Sequence, residues 1–178
     1  MPPLTRLQRA GRMTAGFVGL VLLTAIAFAI LSQFAGGWGI PYFPFTTANG
    51  SKCTNTWTGY TCPALTKADL ELYAETTLPI GTRIRSASYT VTNDVTVDAA
   101  LVTNKSSVDA ARKQLAEGFG GCGSGPVPDQ LANATHVCRM STDDDTATDK
   151  PPPPRLFSVV TGIMADGSMV TVLHIQSR

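Results

Sequence analysis

The sequence predicts an α+β fold outside a membrane, tethered by one helix, and three observations carry that expectation. From Thr14 to Phe34 the chain reads TAGFVGLVLLTAIAFAILSQF, and no charged side chain occurs between Arg12 and Lys52. Beyond Lys52 the pattern changes to short alternating runs broken by turn signals, with two stretches at helical spacing. All four cysteines, Cys53, Cys62, Cys122 and Cys138, fall in this second part. At about 1.5 Å per residue the first stretch makes a helix of roughly 31 Å, close to the thickness of a bilayer hydrocarbon core. The rest of the chain is enough for one small domain: an antiparallel sheet of about four or five strands, one or two helices on one face, and two disulfides.

The tail, residues 1–13, carries Arg6, Arg9 and Arg12 with no acidic residue. The positive-inside rule places that tail in the cytoplasm, residues 14–34 across the cell membrane as a signal anchor, and the rest outside. A cleavable signal peptide shares the basic start and apolar run. Its apolar region is usually about 7–15 residues, however, and no A-x-A stands just beyond this longer run. From Lys52 onward 11 basic residues face 13 acidic ones, so the outer domain offers no electrostatic reason to bind nucleic acid. Arginine outnumbers lysine and Ala, Thr and Gly abound, the flavour of a GC-rich bacterial genome, so the expected setting is a bacterial cell envelope.

Residues 35–50, AGGWGIPYFPFTTANG, form an aromatic, Gly- and Pro-rich exit from the membrane. Trp38, Tyr42, Phe43 and Phe45 read first as a stiff collar in the headgroup belt, with contact to another membrane protein as the functional alternative. The domain proper is expected over 51–178. Its first piece, SKCTNTWTGYTCP, reads as a hairpin or loop around Thr58-Gly59, stapled by Cys53 and Cys62. Thr66, with Asp69 three residues on, resembles a helix N-cap. Leu70, Tyr73 and Ala74 then share one face of a short helix that stops before Leu78-Pro79.

Two alternating runs, Arg83 to Asn93 and Val95 to Thr103, predict an antiparallel hairpin turning at Asn93-Asp94. Ala87, Tyr89 and Val91 oppose Val95, Val97, Ala99 and Leu101 on an apolar face, and the other face is largely Ser, Thr and Asp, hence wet. Ser107 is placed to cap a second helix whose stripe is Val108, Ala111, Leu115 and Phe119, with glycines 118, 120 and 121 ending it. Residues 121–138 read as a loop restrained by Cys122 and Cys138. The acidic, four-proline stretch 141–154 reads as an exposed spacer. From Arg155 two apolar, β-branched runs flank Asp166-Gly167, a strong hairpin signal.

Four cysteines allow three connectivities, and the local pairings Cys53–Cys62 and Cys122–Cys138 are preferred because each closes a short loop. No catalytic constellation, cofactor cradle or metal shell stands out. His136 and His174 are the only histidines, and adding Cys122 and Cys138 yields four donors without the tight paired spacing of a zinc site. The glycines of FGGCGSGP lack the order of a phosphate loop or a hydrolase elbow. Asp143, Asp144, Asp145 and Asp149 lack the glycine and closing glutamate of an EF-hand. Asn49, Asn104 and Asn133 match the glycosylation sequon, which matters only in a host that glycosylates exported asparagines.

The expected function is therefore non-enzymatic. A membrane-anchored accessory domain would bind or stabilise another envelope protein or membrane complex, with the bilayer as its constant partner and no cofactor. The alternative is a module that binds a lipid or cell-wall precursor in an apolar pocket between sheet and helix, acting beside an exporter. An exported hydrolase is the least favoured class, for want of a triad or a C-x-x-C.

Overall fold

A computed structural model describes residues 6–142 and 155–177 of the chain. Helix α1 (Arg6–Ala35) contains the whole apolar stretch, and Phe17, Leu23 and Phe28 stand exposed on it. The hydroxyls of Thr24 and Ser32 donate to the carbonyls of Leu20 and Ala29 at 2.8 and 2.9 Å. Such internal pairing suits a helix surrounded by hydrocarbon, where an unpaired donor is costly. By length and composition α1 fits a membrane anchor or a signal peptide.

Beyond α1 the described residues are organised on a single antiparallel sheet of eight strands, in the order β1-β2-β3-β4-β5-β8-β7-β6. The strands are β1 (Pro44–Thr46), β2 (Lys52–Asn55), β3 (Tyr60–Ala64), β4 (Thr82–Val91), β5 (Val95–Thr103), β6 (Thr135–Ser141), β7 (Arg155–Ile163) and β8 (Met169–Ser177). The chain walks from one edge to the centre in five successive strands, β1 to β5. It then crosses through α3 (Val108–Phe119) to the opposite edge and walks back, so that β8 closes on β5. The other helix, α2 (Lys67–Ala74), lies between β3 and β4 in sequence.

The expected four or five strands are thus too few: the stretch read as a hairpin or loop supplies both β2 and β3, and two further strands were not foreseen. Strand β1 is only three residues, inside a stretch rich in Pro and Gly, and pairing with β2 draws the exit segment into the sheet. Strand β6 lies partly in the expected disulfide loop, where a bulge between Thr135 and Cys138 disrupts the period-2 pattern that marks a strand. A 3-10 turn, Asp129–Leu131, occupies more of the same loop.

The β4–β5 register pairs Ala87 with Ala99, Tyr89 with Val97 and Val91 with Val95. With Leu173, Ile175 and Val159 these form the face on which both short helices pack, through Leu70 and Ala74 of α2 and Val108, Ala111, Leu115 and Phe119 of α3. Thr66 caps α2 as expected, accepting from the Asp69 amide at 3.3 Å. Ser107 makes no such bond. A 3-10 turn, Lys105–Ser107, leads into α3 instead, holding Ser107 away from capping geometry. The opposite sheet face is less uniformly wet than the alternation predicts: Leu131 from the 3-10 turn joins Val160 and Val170 in a second, small cluster.

The two disulfides join Cys53 to Cys62 and Cys122 to Cys138. The first lies in the main core between β2 and β3, and the second ties the loop after α3 to edge strand β6. From residue 143 the acidic and proline-rich spacer, with its aspartate cluster, lies outside the described residues.

Candidate functional site

Three places outside the general core carry specific chemistry, and the first is where α1 meets the domain. Ala35 and Gly36 at the end of α1 are both buried. A Cβ on Gly36 would stand 1.9 Å from the Pro44 carbonyl oxygen, so only glycine permits this approach of helix end to strand. Asn55, at the buried end of β2, clamps the intervening turn. Its side-chain amide donates to the Gly36 carbonyl at 2.7 Å, its backbone N–H to Phe43, and its carbonyl accepts from Tyr42. Helix and sheet are thus joined by a structured turn.

Around that junction lies an aromatic surface. Of the four residues expected there, Trp38 and Tyr42 are well exposed, at 64% and 71%. Phe43 is half-buried, and Phe45 turns inward edge-on to Tyr60, ring centres 5.3 Å apart. The sequence reading missed Trp57 and Ile40. Trp57, 77% exposed in the β2–β3 turn, donates its Nε1–H to the Tyr42 hydroxyl at 2.7 Å and meets that ring edge-on. Its place in a stapled hairpin was legible; which neighbour the hairpin would lean on was not.

Behind this surface Asp69 is almost fully buried. Its carboxylate accepts from Thr47 Oγ1, Asn49 Nδ2, the Ser51 amide and Thr66 Oγ1. Burial pushes the carboxyl up, but the hydrogen bonds from Ser51, Thr47 and Asn49 outweigh it and hold the group below its ordinary 3.8. One sequon asparagine, Asn49, is thus engaged within the protein. A ladder of rings runs from Phe45 through Tyr60 and Tyr89 to Tyr73, the last two stacked at 3.9 Å. Burial first, and then the neighbouring Tyr60, push the Tyr73 hydroxyl up to about 12 and that of Tyr89 higher still.

The second place is a cleft of about 480 Å³ between α3 and the β6 edge, within the usual size range of small-molecule sites. Leu115, Val137, Met140 and the Cys122–Cys138 bridge give it apolar walls. Arg112, Lys113 and His136, all reached by solvent, stand at its mouth. His136 sits in the left-handed region at φ 50°, within the β6 bulge, and its carbonyl accepts from Arg112 Nη2 at 2.8 Å. Thr161, almost fully buried, lines the floor, and its Oγ1 has no hydrogen-bond partner among the described residues. The only other such buried side-chain atom there is Thr56 Oγ1 beside Trp57.

The third place is the wet face, where His174 Nδ1 and Asp98 Oδ1 lie 2.6 Å apart across β5 and β8. Both side chains are about half exposed, so the pair contributes little to stability. The two histidines therefore do not converge: His136 borders the cleft on the α3 side, and His174 alternates with core residues Leu173 and Ile175 to face the other way. Among the described residues no three His, Cys, Asp or Glu side chains gather where a metal ion would sit.

Comparisons with family models, with curated proteins and with solved structures return no match for this chain.

Proposed function

We propose that this protein is a single-pass, membrane-anchored accessory protein, its N-terminus cytoplasmic, whose extracytoplasmic domain binds or stabilises another envelope protein or membrane complex without catalysis. The observation that carries this reading is the junction. Gly36 packed on Pro44 and Asn55 clamping the turn give the domain a fixed attitude to the helix, which a mere tether does not need. The exposed surface of Trp38, Ile40, Tyr42 and Trp57 beside that junction has the aromatic composition of interfaces and headgroup belts alike. Inserting Gly-Ser-Gly-Ser after Gly37 keeps anchor and domain but frees their relative orientation. After mild cross-linking in native membranes, the wild type is expected to recover a stoichiometric membrane partner and the insertion variant to lose it. Recovery of no partner by the wild type would sink this reading.

A second reading, a module that binds an amphipathic small molecule, is favoured by one observation: the cleft under α3 has apolar walls and an unpartnered hydroxyl at its floor.

A further inference from the structure

The ligand-handling reading leaves the ligand's chemistry open, and the cleft narrows it. Among the described residues that line the cleft none is acidic, while Arg112 and Lys113 are cationic and His136 adds a third charge when protonated. Arg112 is pre-positioned: the His136 carbonyl engages one of the five donors of its guanidinium, a group whose planar fork suits a carboxylate. Leu115, Val137, Met140 and the disulfide offer apolar contact to whatever lies behind the charge. Thr161 stands opposite Cys138 in the β6–β7 register, about one strand spacing, roughly 4.8 Å, inward from the bridge. A buried hydroxyl with no partner is disfavoured, and a valine of nearly the same shape would remove the penalty; Thr161, unlike Thr56, borders the cleft, where a ligand would supply the missing partner.

We propose that this cleft binds an amphipathic carboxylate bearing a second hydrogen-bonding group a few bonds from the charge, such as a hydroxylated acyl chain. The carboxylate meets Arg112 and Lys113, the hydroxyl or carbonyl meets Thr161 Oγ1, and the chain lies along Leu115, Val137 and Met140. This rests on the second reading above.

The test uses the full chain in phosphatidylcholine nanodiscs, with carbon-13 in its methionine methyls, titrated with 3-hydroxydecanoate, decanoate and decane-1,3-diol. Met140 lines the cleft, and Met164, packed against the small cluster on the opposite face, serves as internal control. The expected result is a saturable shift at Met140 alone. 3-Hydroxydecanoate should bind tightest, decanoate about 10-fold weaker and the diol more than 10-fold weaker, the losses typical of one hydrogen bond and of one charged partner. Thr161→Val should bring the two acids to equal affinity, and Arg112→Gln with Lys113→Gln should bring the acid and the diol together. Lys113→Gln alone, which leaves the Arg112 bond to His136 intact, should narrow the same gap if the double variant fails to fold. A diol that binds wild type as tightly as the acid would overturn the anion while leaving the cleft as a ligand site. An unchanged gap between the two acids in Thr161→Val would overturn the role of the hydroxyl. No response at Met140 to any probe would overturn the ligand-handling reading itself.

Discussion

The two edges of the sheet are built differently. On the β1–β3 side the buried polar side chains Ser51, Asn55 and Asp69 are all hydrogen-bonded, and the backbone approaches so closely at Gly36 that no side chain fits. Both edges carry a bulged strand, a residue in the left-handed region, Tyr42 or His136, and a buried hydroxyl without a partner, Thr56 or Thr161, but on the β6 side a cleft opens under α3 beside them. A hydrogen-bonded buried network fixes one arrangement, whereas a cleft leaves room for a ligand. The difference is one of construction: a buried, hydrogen-bonded network at the edge joined to the apolar helix and an open cleft at the far one.

The sharpest way to break that contrast is at Asp69. Removing its carboxylate leaves the Thr47 and Thr66 hydroxyls and the Asn49 side-chain amide short of an acceptor, while the Ser51 N–H keeps Thr47 Oγ1 at 2.9 Å. Asp69→Ala should cost about 3 kcal/mol in denaturant unfolding, the range for stranding buried donors around a charged group. A loss of under about 1 kcal/mol would show that the network is not what fixes this edge. The same group sets an acid limit. Because its folded value lies below 3.8, the unfolded chain binds more protons between the two values. Its stabilisation is complete above 3.8 and lost as pH falls through the folded value, and Asp69→Asn should remove that part of the acid transition.

At the far edge the comparable staple is Cys122–Cys138, closing a separation of 16 residues. Replacing both by serine should cost about 3 kcal/mol on the chain-entropy account and weaken the Met140 response by loosening one wall of the cleft. Equal melting temperatures for this variant and the wild type would leave the edge held by its β6–β7 pairing alone.

The stacked tyrosines give an alkaline counterpart to Asp69. Tyr73 is raised from 10 to about 12 and Tyr89 higher, so the unfolded chain loses these protons first. Their contribution is complete below pH 10 and fades as pH rises through 12, and Tyr73→Phe should flatten the stability profile between those values. An unchanged profile would mean that burial of the two hydroxyls is not felt at this end of the core.

How much of the molecule was legible in the sequence obeys the same divide. Periodicity set by burial was readable: the β4–β5 hairpin falls on its alternating residues, and the α3 stripe of Val108, Ala111, Leu115 and Phe119 is the buried one. Thr66 and Asp69 announced a capped helix, but nothing in their spacing told that Asp69 would also gather Thr47 and Asn49 from 20 residues or more away. Strands β1 and β6 were hidden because pairing partners, not local pattern, make them strands, and at His136 the bulge erases the alternation. The cleft was foreseen only as a kind of place, between sheet and helix. Its lining joins α3 to β6 and β7, elements that meet only through the crossover to the far edge.

The smallest expected effect is also the one that separates the two edges most cleanly. Thr161→Val replaces an unpartnered buried hydroxyl by a methyl of nearly the same volume, so the folded protein without ligand should gain up to about 1 kcal/mol. At the anchored edge the corresponding change, Ser51→Ala, removes a hydroxyl that accepts from the Thr66 amide at 2.9 Å, and should lose about 1 kcal/mol. Opposite signs for two hydroxyl deletions of similar size would show that the Ser51 hydroxyl is used within the fold and that of Thr161 is held in reserve. If Thr161→Val also loses stability, the hydroxyl has a partner within the protein, and the cleft floor holds no unmet donor for a ligand.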